Sequence, residues 1–162
     1  MPTRSATYFV YRTPHGPVTI RTVEDGVTNV AFGDVELEGQ RHPSELSNRT
    51  ATELLEYFAG KRRAFDVPLA PEGSAFQQAV WDAVVALPYG EAHTTADVAR
   101  ALGKPESYRS VGTAVRKNPL PVLVPDHRIV SANGRPTGAG AAARLRGALL
   151  ELERHTLTSE TG

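Results

Sequence analysis

The chain has 162 residues, 40% hydrophobic and 22% charged, which suits one medium domain or two small ones and excludes a disordered polymer. Lysine plus arginine balances aspartate plus glutamate at 18 each, so any footprint for nucleic acid has to be local. Cysteine is absent, which excludes disulfides, thiolate metal sites and every cysteine nucleophile.

The first third reads as a small sheet with a helix. Tyr8-Phe9-Val10-Tyr11, Val18-Thr19-Ile20-Arg21 and Val27-Thr28-Asn29-Val30-Ala31-Phe32 are β-branched and aromatic runs, separated by the turn residues Pro14, Gly16, Asp25-Gly26 and Gly33-Asp34. A helix is expected next, starting near Ser44 or at Thr50, where Thr50 and Glu53 have capping-box spacing. It carries Leu54, Leu55, Tyr57 and Phe58 toward a core and stops at Gly60. Residues 61–73, KRRAFDVPLAPEG, have two prolines and no helical period and read as a linker.

The second part opens on another capping box, Ser74-Ala75-Phe76-Gln77, with Phe76, Val80, Trp81, Val84 and Leu87 on one helical stripe. Trp81 on that stripe reads as core. Pro88-Tyr89-Gly90 ends this helix. Thr94 and Asp97 cap a short helix over 96–102, closed by Gly103, and a further helix over 107–117 follows the turn Lys104-Pro105-Glu106. Pro119, Pro121 and Pro125 are expected to hold the next stretch extended. A glycine- and alanine-rich loop, TGAGAAA, precedes a last helix over 144–154.

No apolar run approaches the ~20 residues that cross a bilayer, so no membrane partner is expected. The stretch MPTRSATYFVYR lacks the pattern of a signal peptide, and a cytoplasmic location, nucleoid-associated in a bacterium, is expected. The five histidines are scattered, with no pair at helical ligand spacing, so neither a metal nor a cofactor is expected.

Two short helices joined by a tight turn form a helix-turn-helix candidate. The second carries Arg109, Arg116 and Lys117 and no acid, which suits a phosphate-lined groove. A solvated basic face has the same composition, and spacing alone leaves both readings open. His127 follows Asp126, and on an extended strand the two would point to opposite faces, so Glu153 on the last helix is the better partner for the imidazole. A core histidine satisfied by a backbone carbonyl is the alternative. The loop over 137–142 has two glycines but no lysine or threonine at P-loop spacing, which argues against a nucleotide-phosphate site.

A set of ordered segments carries a more specific signal. Gly60 is followed by Phe65-Asp66-Val67-Pro68-Leu69, then Phe76-Gln77 with Val80-Trp81, then Pro88-Tyr89-Gly90-Glu91. Arg109-Ser110-Val111-Gly112, Asn118-Pro119, Val124-Pro125, His127-Arg128-Ile129-Val130 and Leu149-Leu150 with Glu153 complete it. From about residue 15 to 155 the chain resembles the O6-alkylguanine-DNA alkyltransferases.

The resemblance implies an α+β fold. A small RNase H-like three-stranded sheet with a helix would fill residues 1–70, and a helical domain with the helix-turn-helix, residues 71–162. It implies a monomer on double-stranded DNA, alkylated or not, with the recognition helix in the minor groove. Arg109 would fill the stack left by a flipped-out guanine, since extruding a base costs a few kcal/mol that an intercalating side chain partly offsets. Thr95, Arg116, Lys117 and Arg128 are the further DNA contacts implied. Asn118 would brace the turn that carries the reactive strand, and His127 and Glu153 match two members of a Glu–His–water–Cys relay. Asp126, Ile129, Ala139 and Gly140 would line the lesion pocket.

Three positions depart from the family pattern. Asp126 stands at the nucleophilic cysteine, and Thr95 and Ala139 stand where the family has tyrosines; the usual Gly-Gly pair is Ala141-Ala142. The chain is therefore expected to resemble the cysteine-less alkyltransferase-like proteins, which bind alkylated guanine and pass it to nucleotide excision repair proteins, rather than to be an enzyme. Two alternatives are a dealkylating enzyme that uses the Asp126 carboxylate and a homologue repurposed away from lesions.

Overall fold

The computed structural model describes residues 6–161, with side chains described as far as residue 159. The chain divides into two compact units, residues 1–72 and 73–162.

In the first unit, β1 (Thr7–Thr13), β2 (Gly16–Val23) and β3 (Gly26–Phe32) form an antiparallel meander, with Phe9 opposite Ile20 and Ile20 opposite Val30. The sheet has a fourth member that the sequence reading lacks. β4 (Gln40–Arg41) lies parallel to β1, in the order β3-β2-β1-β4, through Gln40 N–H to Ala6 O and His42 N–H to Tyr8 O, both 3.0 Å. Two exposed polar residues have no hydrophobic alternation by which a strand could be read. Val18, Ile20, Val27 and Val30 meet Leu54 and Tyr57 in the core.

Helix α1 (Glu45–Phe58) starts at the first of its two expected caps: Ser44 and Ser47 satisfy each other's backbone N–H groups. Thr50 is inside the helix, with its hydroxyl on Leu46 O at 2.8 Å. Glu53 is buried and no cap; its carboxylate accepts from Asp66 N–H at 2.8 Å and pairs with Arg49 and Arg62. The expected linker is fastened rather than free. Val67 is buried, and Val27 N–H donates to Pro68 O at 2.9 Å while Ala70 N–H donates to Val27 O at 2.8 Å. Gly26 permits this approach, because a Cβ there would lie 2.6 Å from Pro68 O.

The second unit is helical. α2 (Ala75–Val85) begins at the Ser74–Gln77 capping box, and Trp81 anchors it by donating from Nε1 to Ala114 O at 2.9 Å. α3 (Thr95–Ala101) is capped by Thr94 and Asp97, as the spacing predicts. A 3-10 turn over Pro105–Ser107 leads into α4 (Tyr108–Arg116), whose Val111, Ala114 and Val115 face inward. The prolines do not hold the next stretch extended. It folds into a tight bend in which Val122 takes φ +74°, the only positive φ at a non-glycine among the described residues, followed by a 3-10 turn over Asp126–Arg128. A β-branched residue in that region stores about 1–3 kcal/mol of strain, so the surroundings must hold it. α5 (Gly140–Thr161) starts four residues before the expected position, because the alanine-rich stretch read as loop continues the helix.

Candidate functional site

The 3-10 turn places Asp126, His127 and Arg128 in the interior, each less than 7% exposed, and α5 supplies Glu153, which is fully buried. Glu153 organises the cluster. Its Oε2 lies 2.6 Å from His127 Nε2 and accepts from Arg128 Nη2 at 2.9 Å; its Oε1 accepts from Arg128 Nε at 2.9 Å and from Gly90 N–H at 2.7 Å. Arg128 also donates from Nη1 to Leu87 O at 2.8 Å and lies over the Tyr89 ring at 5.5 Å. A carboxylate with a guanidinium fork, an imidazole and a backbone amide is fully compensated, as burial of a charge demands.

Asp126 sits beside this cluster in a different environment. Oδ2 accepts from Asn118 Nδ2 at 3.2 Å, while Oδ1 lies 3.7 Å from Arg146 Nε, a loose ion pair rather than a hydrogen bond. Burial pushes the Asp126 carboxyl above the ordinary range, against the opposing pull of Arg146, Asn118 and His127. Asn118 braces the strained bend as well: its Oδ1 accepts from Leu120 N–H at 2.9 Å and its Nδ2 donates to Val124 O at 3.0 Å.

The raised carboxyl has a consequence for stability. The folded protein holds the Asp126 proton more tightly than the unfolded chain, so this group's contribution is full below the unfolded pKa and is lost as pH rises through the folded one. Asp126→Asn removes the dependence. Its melting temperature relative to the parent is expected to climb from acid to alkaline pH, and a constant difference would contradict the assignment.

The other sequence-predicted residues occupy two places. Ile129 is fully buried and its strand-like segment pairs with His93, through His93 N–H to Arg128 O and Val130 N–H to His93 O, both 2.8 Å. Ala139 and Gly140 are exposed where the loop enters α5. Arg109 and Arg116 are exposed on α4, and so is Lys117 at its C-cap; Arg109 stacks on Tyr108 at 5.8 Å and Arg116 bonds the Thr113 hydroxyl at 3.1 Å. Thr95, the first residue of α3, is half-buried facing Gly112 on α4.

Arg128 departs from the expected DNA contact. Its guanidinium is internal and fully engaged by Glu153 and Leu87, because the 3-10 turn directs inward a side chain that an extended strand would have let out. Arg146 was not legible as a site residue from composition. Its position two helical turns before Glu153, on the same face of α5, is the signal that could have found it.

A unit of one sheet and one helix, followed by a helical unit with a buried Glu–His–Arg cluster, defines an α+β class. Its second unit matches the 6-O-methylguanine DNA methyltransferase DNA-binding domain over residues 75–155, and its first matches that family's ribonuclease-like domain over 6–71. A methylated-DNA–protein-cysteine methyltransferase of Methanosarcina acetivorans is 38% identical over 151 residues, spanning 90% of this chain and 97% of the relative. The constitutive methyltransferase of that name from Bacillus subtilis is 36% identical, spanning 91% and 94%. The crystal structure of Mycobacterium tuberculosis O6-methylguanine methyltransferase superposes with a TM-score of 0.85 at 34% identity, covering 93% of this chain and 94% of that one. The mycobacterial protein in complex with DNA gives 0.84 at the same identity and coverage. The chain belongs to the 6-O-methylguanine DNA methyltransferase family. Those relatives are named for a cysteine, and this chain contains none.

Proposed function

We propose that this protein is a DNA-binding alkyltransferase homologue that engages a damaged base, O6-alkylguanine above all, without accepting its alkyl group, and leaves the lesion to excision repair. The observation that carries the reading is the contrast at one turn: His127 and Glu153 are 2.6 Å apart in an intact cluster, while the position beside them is a buried aspartate. Transfer to a thiolate works because sulfur is a soft, strong nucleophile toward an sp3 carbon. A carboxylate is far weaker in that displacement, and burial weakens this one further by favouring its protonated form. Dealkylation through an Asp126 ester is therefore the less supported chemistry.

Binding would proceed through α4. Arg116 and Lys117, exposed at its C-terminal end, are placed to meet phosphates, and Arg109, exposed in its first turn, to occupy the gap left by an extruded base. Fluorescence anisotropy on plain and O6-methylguanine duplexes tests this. Arg116→Ala and Lys117→Ala are each expected to weaken both duplexes alike and to reduce the salt slope by about 1. Arg109→Ala is expected to weaken the lesion duplex more than the plain one, by about tenfold. Equal affinity of Arg109→Ala and the parent for both duplexes would remove base extrusion from the account.

A further inference from the structure

Charge is unevenly distributed along this chain. Lysine plus arginine equals aspartate plus glutamate at 18 each, yet between Glu106 and Glu151 stand seven basic residues and one acidic residue, Asp126. Asp126 is buried and pairs with Arg146, and Arg128 is internal, held by Glu153. Five cations of this stretch remain at the surface: Arg109 and Arg116 on α4, Lys117 at its C-cap, Arg135 in the loop after Val130, and Arg144 near the start of α5. None of the five has an acidic partner among the described residues. Like charges without counterions repel one another, and a bound polyanion offsets that cost.

The segments that carry these cations are tied together. Asn118, next to Lys117, donates to Asp126 Oδ2 at 3.2 Å. Arg146 stands 3.7 Å from Oδ1 of the same carboxylate and donates from Nη1 to Thr137 O at 3.0 Å. The end of α4 is thereby fastened, through the Asp126 turn, to the following loop and to α5. The loop is itself built. Gly134 N–H donates to Ser131 O at 2.8 Å and Ser131 N–H to Arg135 O at 2.9 Å, which fixes Arg135 at the end of a tight turn. Pro136 then docks on α5, its Cγ 3.2 Å from the position that a Cβ would take at Gly147. Arg144 lies three residues before Gly147, on the same face of the helix. Arg135 and Arg144 thus flank one contact, with the Asp126 turn between them and Lys117.

We propose that the DNA footprint does not end with α4: Arg135 and Arg144 form a second phosphate-binding arm, so that the DNA backbone is held on both sides of the turn that carries Asp126. The inference deepens the function proposed above and rests on it. A duplex held by α4 alone would pivot about that helix, whereas contacts on both sides of the turn fix its register against the place where a base is extruded. Phosphate contacts position a duplex and carry no base information, so this arm serves lesion and plain DNA alike. The preference for the lesion stays with Arg109.

Anisotropy titrations over a salt series, on plain and O6-methylguanine duplexes, test the proposal. Each phosphate neutralised contributes about 0.9 to the slope of log affinity against log salt concentration. Arg135→Ala and Arg144→Ala are each expected to reduce the slope by about 1, and the double variant by about 2, with the ratio of lesion to plain affinity unchanged. Arg135→Lys and Arg144→Lys should keep the parent slope, since the charge is retained. Arg154→Ala is the control for overall charge. That arginine is exposed on α5 three residues after Glu151, beyond the acid-poor stretch, and its loss should leave the slope unchanged. A slope that either alanine variant leaves unchanged, or that Arg154→Ala reduces by as much, overturns the proposal and leaves binding through α4 standing. A parent that binds no duplex overturns both.

Discussion

Glu153→Ala is expected to destabilise the helical unit by about 3–5 kcal/mol, the scale for removing one partner of a buried charge cluster. The carboxylate is fully buried and serves both the Arg128 fork and His127, and it also accepts from Gly90 N–H. Its removal strands a guanidinium and an imidazole in the interior and frees a backbone amide. Glu153→Gln keeps the shape and an acceptor for Gly90 but loses the charge, so it should fall between Ala and the parent. Trp81, the only tryptophan, is buried in the same unit, so urea unfolding followed by its fluorescence reports that unit directly. A loss below about 1 kcal/mol for Glu153→Ala would mean that the cluster is already solvated or can rearrange.

The second large effect is a gain. Asp126→Cys should convert a protein with no transfer into one that takes up a methyl group stoichiometrically from O6-methylguanine DNA. The imidazole of His127 is already oriented by Glu153 at 2.6 Å, Asn118 holds the bend, and Arg146 supplies a positive charge beside the position of the new sulfur. The base and the positive charge favour a thiolate, and the held bend keeps the position in place. Ala139 is small and exposed, however, and leaves the base loosely held, and a misplacement of ~1 Å can cost about a hundredfold in rate. Transfer is therefore expected to be slow in Asp126→Cys and faster when Ala139→Tyr is added, as single-turnover assays would record. Inactivity of both variants would mean that the His127–Glu153 pair no longer serves as a base.

The parts of this fold that were legible in the sequence are those written in local chemistry. The Ser74–Gln77 and Thr94–Asp97 boxes fixed two helix starts, because a capping side chain acts on backbone amides only three residues away. The three main strands followed from β-branched and aromatic runs and the turn residues between them. β4 and the docked segment around Pro68 were not legible, since both are held by backbone hydrogen bonds to distant strands that no side-chain pattern records. The site divides in the same way. His127 and Glu153 emerged as partners from residue type and from the resemblance, but the inward turn of Arg128 depends on a 3-10 turn that three nearby prolines concealed. Arg146 comes to pair with Asp126 only once the bend brings that residue against α5.

The central claim is that this protein engages the lesion without taking its alkyl group. Intact-protein mass spectrometry, after incubation with an excess of O6-methylguanine duplex at a concentration where anisotropy shows the lesion bound, tests it most directly. The account predicts an unchanged protein mass and an unchanged lesion in the recovered DNA. A stoichiometric methyl adduct on the protein, or loss of the methyl group from the DNA, would contradict it.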